Sequence, residues 1–413
     1  MTPPEDRPTA PPTVPPADPR TDLPRDLPAD LVTDPLTDKA VGCVTGAAVG
    51  DALGGATEGW TPEQIQERYG GYVTGIVPPW FEDWRNARPI APYHKGDGHV
   101  TDDTLMTHAL IRVYEKAGRH LDAYAAADLL VPEMMGEKRW IPELEADALP
   151  LQRVFLAEKW LVLRLHYGHV DPREAGVGNI VNCGAAMYVA PVGVVNAADP
   201  DGAYAEAIDL AGAHQSSYGR EAAGVMAAAV AEAMRPGATA DSVVATCLRL
   251  ARDGTRAAIE AVCDRARDLG HWEGSFPALR AAVAPYDTVA DTYRDQGLGA
   301  RRPSRLHSIE ELPLALAFLV IAKGGYRDTV LGGVNYGRDA DSIASMGGAI
   351  AGALGGAAAV PRDWLGPIAT ASRLDLTSPG VAIAEVARRV HTADLTRRRT
   401  HESAFAALTG ERA

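Results

Sequence analysis

The sequence predicts an all-α fold, and three observations carry that prediction. Apolar residues recur at helical spacing, as in Leu105, Ala109 and Val113 with Met106 and Leu110. Glycine stands at every fourth position in two stretches, Gly42, Gly46, Gly50, Gly54 and Gly348, Gly352, Gly356, so each set lies on one helix face. Aromatic residues make up only 6% of the chain while glycine and alanine abound, which favours closely packed helices over a β-sandwich. The one strand-like piece is short, at 72–77.

Residues 1–36 hold 11 of the 30 prolines among Asp, Arg and Thr. Such a segment buries too little apolar surface to offset its ordering entropy and reads as a disordered tail. From 37 to 395 the composition is that of one folded domain, and 396–413 reads as a charged C-terminal tail. The first helix is predicted over 39–53. A second, 61–69, starts at Thr61 as cap with Pro62 in its first turn. Residues 71–99, rich in Gly, Pro and aromatics (Trp80, Phe81, Trp84, Tyr93), read as a long irregular loop, a length that is usually functional.

A helix over 102–116 opens on Thr101, Asp102 and Asp103. Further helices are expected at 121–136, 150–167, 199–213, 217–234, 240–253 and 255–268. Another follows at 307–323, where Ser308 and Glu311 form a capping-box pattern. The segment 335–356 carries Asp339, Asp341 and Ser342 into the second glycine ridge, and short helices follow near 361–371 and 380–392. Residues 178–200, apolar but studded with Gly and Asn, read either as a pocket-lining loop and helix or as a buried helix with irregular ends.

Composition excludes several classes of function. The formal net charge of −14 leaves no general surface for a nucleic-acid backbone, which needs clustered Lys and Arg. The uncharged stretch 343–360 is mostly glycine and alanine, too weakly hydrophobic for a membrane span. Cys43, Cys183, Cys247 and Cys263 make no CxxC pair and no secretory signal is visible, so a cytoplasmic protein with reduced thiols is expected.

The chemistry rests on two mirrored clusters, Thr101-Asp102-Asp103 and Asp339, Asp341, Ser342, each at the start of a helix. Taken alone, either is what a helix N-terminus wants, because such side chains cap free N–H groups and suit the helix dipole. Together they point elsewhere. Four carboxylates brought to one place repel unless a cation lies between them. Oxygen ligands without Cys or His select hard ions, so Mg²⁺ or Mn²⁺ is favoured over Zn²⁺.

The motifs GAAVGDALGGATEG (46–59), GHVTDDTLM (98–106), NCGAAMYVAPVG (182–193), AHQSS (213–217) and NYGRDADSIASMGGAIAGALGG (335–356) stand in one order along the chain. In them the sequence resembles the ADP-ribosylglycohydrolase family. The resemblance implies a compact orthogonal α-helical bundle around a two-magnesium site, with Thr101, Asp102, Asp103, Asp339, Asp341 and Ser342 as ligands. It implies that Glu58 is the catalytic acid/base, and that Gly178, Asn179, Gly184, Ala185, Met187, Tyr188 and His214 line a pocket for an ADP-ribosylated substrate. Read from residue type alone, His214 is as well explained as a satisfied core histidine. Two features depart from the family pattern. Tyr188 stands where a basic residue is common, and the 77–99 loop with His94 is not a family signature. Aromatics in that loop either stack on a ligand or pack the lid itself.

The expected activity is Mg²⁺-dependent hydrolysis of the glycosidic bond between ADP-ribose and a protein side chain or small acceptor. Hydrolysis of a different N-ribosyl nucleoside or nucleotide on the same scaffold is the second reading. A non-catalytic ADP-ribose binder or crystallin-like protein is the third. The sequence sets no oligomeric state.

Overall fold

The computed structural model describes residues 34–86, 94–287 and 309–410. Helix α1 (Pro35–Gly54) starts four residues before the predicted boundary. Asp34 accepts from the N–H groups of Leu36 and Thr37, and Pro35 takes the first helical position, where a missing N–H costs nothing. Helix α2 (Pro62–Tyr69) has the expected Thr61 cap, completed into a capping box by Gln64, and ends at Gly70 in the left-handed region.

No strand forms at 72–77. The polar groups of Val73 are taken instead by one side chain: Asn335 Oδ1 accepts from Val73 N and Asn335 Nδ2 donates to Val73 O, both at 2.8 Å. The loop aromatics pack on one another. Trp80 stacks on Trp60 with centroids 3.9 Å apart, and Phe81 and Tyr69 meet this pair edge-on. They pack on one another rather than present a free stacking surface; Tyr93 lies outside the described residues.

Helix α3 (Asp102–Ala117) is followed by a broken segment, α4 (Ala123–Ala125), a π turn and α5 (Val131–Met135), where one helix was predicted. Pro132 has no N–H for a regular ladder, and the chain loosens to π geometry just before it. The sequence reading missed a hairpin, β1 (Arg139–Ile141) and β2 (Ala146–Ala148), antiparallel with Trp140 opposite Asp147. Strands of three residues carry too little alternation to be read. The predicted 150–167 helix is likewise divided into α6 (Pro150–Arg153), α7 (Leu156–Leu161) and a π turn.

Then come α8 (Ala190–Val195), α9 (Pro200–Ala211), α10 (Ser217–Ala233), α11 (Ala240–Leu250), α12 (Asp253–Arg267) and α13 (Phe276–Val283). Helix α14 (Glu311–Ile321) has Glu310 at its N-cap position, and the expected Ser308 cap lies outside the described residues. Helices α15 (Tyr326–Tyr336), α16 (Ala340–Gly355), α17 (Arg362–Ser372) and α18 (Ser378–Thr409) complete the chain. In α18 the predicted 380–392 helix and most of the charged C-terminal stretch form one continuous helix. Among the described residues no helix is long and apolar enough to cross a membrane.

The centre of the bundle is the pair α1 and α16, and the two glycine ridges face each other. A Cβ on Gly42 would lie 2.5 Å from Gly356 C, and one on Gly54 2.6 Å from Asp341 Cα. Each helical glycine costs about 1 kcal/mol in propensity, a cost that backbone contact at this distance requires. At the far end the turn before α16 is pinned in place. Gly59 N donates to Arg338 O at 2.6 Å and Arg338 N to Trp60 O at 2.9 Å. Gly337, at φ 72°, lies against Trp60 O too closely for any side chain. The segment carrying Glu58 is thereby fixed to the segment carrying Asp339 and Asp341.

Candidate metal centre

The two acidic clusters meet. Asp102 and Asp103 from the start of α3, with Asp339, Asp341 and Ser342 from the start of α16, border one cavity together with Glu58. The remaining wall is formed by His94, Arg153, Phe155, Glu158, Asn182, Cys183 and Met187.

Of these carboxylates only Asp341 accepts from a free N–H of its own helix, that of Ser342 at 3.0 Å. Asp339 is the N-cap of α16 yet makes no capping bond; its Oδ2 accepts instead from Cys183 Sγ at 3.2 Å. Asp102 accepts from Arg153 Nη1 at 3.1 Å and from Phe155 N at 2.8 Å. Asp103 Oδ2 is buried without a hydrogen-bond partner. Burial, and then the charges of Asp341, Asp51, Asp102 and Asp339, push the Asp103 carboxyl well above the usual carboxylate range. An orphaned, buried oxygen among converging carboxylates is what a divalent cation would satisfy, so the donor set fits the metals that the resemblance implies.

Behind this layer stands Asp51, fully buried on α1. It accepts from Thr101 N at 3.0 Å, Thr101 Oγ1 at 2.6 Å and Thr104 N at 3.1 Å, and also from the Thr104 hydroxyl. Burial and the charge of Asp341 raise its pKa to about 7. Asp51 holds the first turn of α3 in place. Thr101, expected as a metal ligand, is completely buried, does not border the cavity, and donates its hydroxyl to Asp51.

His94 sits at the heart of the site, which residue order alone did not reveal. Its Nε2 lies 2.7 Å from Glu58 Oε2 and 3.1 Å from Asp341 Oδ2. Its Nδ1 is 3.1 Å from Glu143 Oε1 and 2.8 Å from Arg153 Nη2. Burial pulls the imidazole pKa down, but Glu58, Glu143 and Asp341 outweigh it and hold the pKa well above the usual value. Glu143 comes from the 3₁₀ turn at the tip of the β1–β2 hairpin. Burial opposes its ionisation, yet Arg153 and His94 hold its pKa down at about 2. Arg153 thus ties Asp102, His94 and Glu143 together and supplies a cation to a strongly acidic cavity.

The residues expected around an ADP-ribose pocket divide into two groups. Met187 borders the cavity. Gly178, Asn179, Gly184, Ala185, Tyr188 and His214 do not border it, and most form the layer behind. Asn179 Nδ2 donates to the carbonyls of Ala157 and His214. The Tyr188 hydroxyl is 3.0 Å from His214 Nδ1, and His214 Nε2 is 3.0 Å from the Ala157 carbonyl. Burial takes His214 down to a pKa of about 4, the state of a neutral, satisfied core histidine. Beside it Glu158 is buried, both oxygens lack a hydrogen-bond partner, and burial followed by Asp102 raises its pKa to about 8.

A profile of the ADP-ribosylglycohydrolase family matches residues 32–400. The chain belongs to the ADP-ribosylglycohydrolase family. Membership indicates a hydrolase of the ADP-ribosylglycohydrolase type. A solved structure of an ADP-ribosylglycohydrolase-related protein complex is similar at 20% identity, over 85% of this chain and 99% of its own, with a TM-score of 0.57. At that identity it shows a shared all-α fold. No curated protein matches the chain significantly.

Proposed function

We propose that this ADP-ribosylglycohydrolase family member hydrolyses the glycosidic bond between ADP-ribose and an acceptor, in a reaction that depends on divalent ions held by Asp102, Asp103, Asp339, Asp341 and Ser342. One observation carries the reading: the two acidic clusters, far apart in sequence, converge with Glu58 on a single cavity in which Asp103 Oδ2 has no protein partner. Bound divalent ions would supply Lewis acidity, hold ribose hydroxyls and lower the pKa of a bound water.

The rest is done by this chain's own groups. Glu58, 5% exposed and held by His94, is placed to give a proton to the departing acceptor atom or to take one from the attacking water. Arg153 offsets part of the repulsion between the acidic wall and an anionic ADP-ribosyl group. Phe155 and Met187 give the cavity its apolar side, which excludes bulk water and strengthens the polar contacts. Tyr188, turned to His214 rather than to the cavity, gives no support to a changed substrate class.

The test is a panel of ADP-ribosylated arginine, ADP-ribosylated serine and free N-ribosyl nucleosides, each with and without EDTA. EDTA-sensitive release of ADP-ribose supports the proposal. Release of a different sugar product, or of none at any metal level, overturns it.

A further inference from the structure

The all-oxygen donor set expected from the sequence is incomplete. A nitrogen and a sulfur stand among the carboxylates: His94 Nε2 groups with Glu58 and Asp341, and Cys183 Sγ with Asp339 and Glu311, the atoms of each group lying within 4.8 Å of one another. His94 is the better placed of the two. Its Nε2 lies 2.7 Å from Glu58 Oε2 and 3.1 Å from Asp341 Oδ2. Neighbouring ligands of an octahedral ion with bonds of about 2.1 Å are about 3 Å apart, so the spacing to Asp341 is that of adjacent ligands.

The other ring nitrogen has the partner that a metal-bound imidazole needs. Glu143 Oε1 is 3.1 Å from Nδ1, and a proton on Nδ1 given to Glu143 leaves the Nε2 lone pair facing Glu58 and Asp341. Arg153 Nη2, 2.8 Å from the same Nδ1, would compete for it as a donor. Arg153 has alternative acceptors in Asp102 and Glu143, so it can release Nδ1 without losing its place. The residue is 6% exposed, and Glu143 reaches it from the hairpin tip.

We propose that His94 is a nitrogen ligand of the metal centre, sharing one ion with Asp341 beside Glu58, and that this mixed site favours first-row transition ions such as Mn²⁺ over Mg²⁺. Imidazole adds little to a hard, reluctantly dehydrated Mg²⁺, whereas first-row transition ions gain from it. The inference rests on the reading of this cavity as a metal site, and the experiment separates the two.

Metal-free full-length protein is loaded with Mn²⁺ and measured by electron spin-echo envelope modulation, alongside competition titrations of Mn²⁺ against Mg²⁺. Wild type is expected to show a nitrogen coupling to bound Mn²⁺, and His94→Gln to lose it. The same substitution should narrow the Mn²⁺ over Mg²⁺ preference by about tenfold or more, while Mg²⁺ affinity changes much less. Bound Mn²⁺ without nitrogen coupling in the wild type overturns the inference while leaving the metal site standing; this needs no variant to fold. Coupling that persists in His94→Gln or His94→Asn also overturns it, because the nitrogen is then another residue's. Absence of Mn²⁺ binding overturns the metal site itself.

Discussion

Gly54 lies directly under Asp341, with room for no side chain: a Cβ there would come within 2.6 Å of Asp341 Cα. Alanine elsewhere in a helix gains about 1 kcal/mol over glycine, but here that gain is smaller than the cost of overpacking, about 1–3 kcal/mol. Gly54→Ala is therefore expected to lower the urea midpoint and also to weaken metal binding. Gly42→Ala, which meets Gly352 and Gly356 at the other end of the ridge, should lower the midpoint alone. Equal metal affinity in both variants would show that the ridge does not position the site.

Asp51 accepts at both oxygens from Thr101 and Thr104, so an amide in its place would turn an NH₂ toward donors. Asp51→Asn is expected to cost about 1–3 kcal/mol, the price of leaving buried donors unpaired. Chemical denaturation measures this, and calorimetry should show metal affinity falling with it.

For Glu58, the expectation is a split between binding and turnover. Glu58→Gln keeps the shape and loses the proton-transfer function, so kcat should fall by ~10²–10⁴-fold with ligand affinity nearly unchanged. Turnover within twofold of wild type would remove Glu58 from the chemistry.

A pH dependence of stability follows from His120. Its Nδ1 meets Glu206 and its Nε2 lies 2.8 Å from Asp394 on α18. The hydrogen bond to Glu206 raises its pKa to about 9, against partial burial, with Asp394 adding to the rise. The folded pKa is above the unfolded value near 6.5, so the contribution is complete below about pH 6.5 and disappears as pH rises through about 9. Its half-exposed position limits the effect to the order of 1 kcal/mol. The stability gap between wild type and His120→Gln should therefore close between pH 6.5 and 9.5. A gap that widens over that range would contradict the assignment.

Periodicity made the helices and both glycine ridges legible, because a four-residue repeat is a surface property of a helix whatever it packs against. The facing of the ridges was not legible, since α1 and α16 are separated by most of the chain. Glu58 was reached through the resemblance, and only the fold shows Asp51 bracing Thr101. His94, Glu143 and Arg153 were hidden for a plainer reason. They come from a loop, a hairpin tip and a one-turn helix, where no period marks the inward face. Tyr188 and His214 were assigned to a pocket by resemblance, and packing turns them toward each other instead.

The central claim is that Asp102, Asp103, Asp339 and Asp341 together cage divalent cations, and calorimetric titration of the metal-free protein tests it most directly. Saturable binding of two ions per chain is expected in the wild type, with binding abolished in Asp103→Ala and in Asp341→Ala while both remain folded by circular dichroism. Wild-type protein that takes up no divalent ion, or variants that bind as the wild type does, would contradict it.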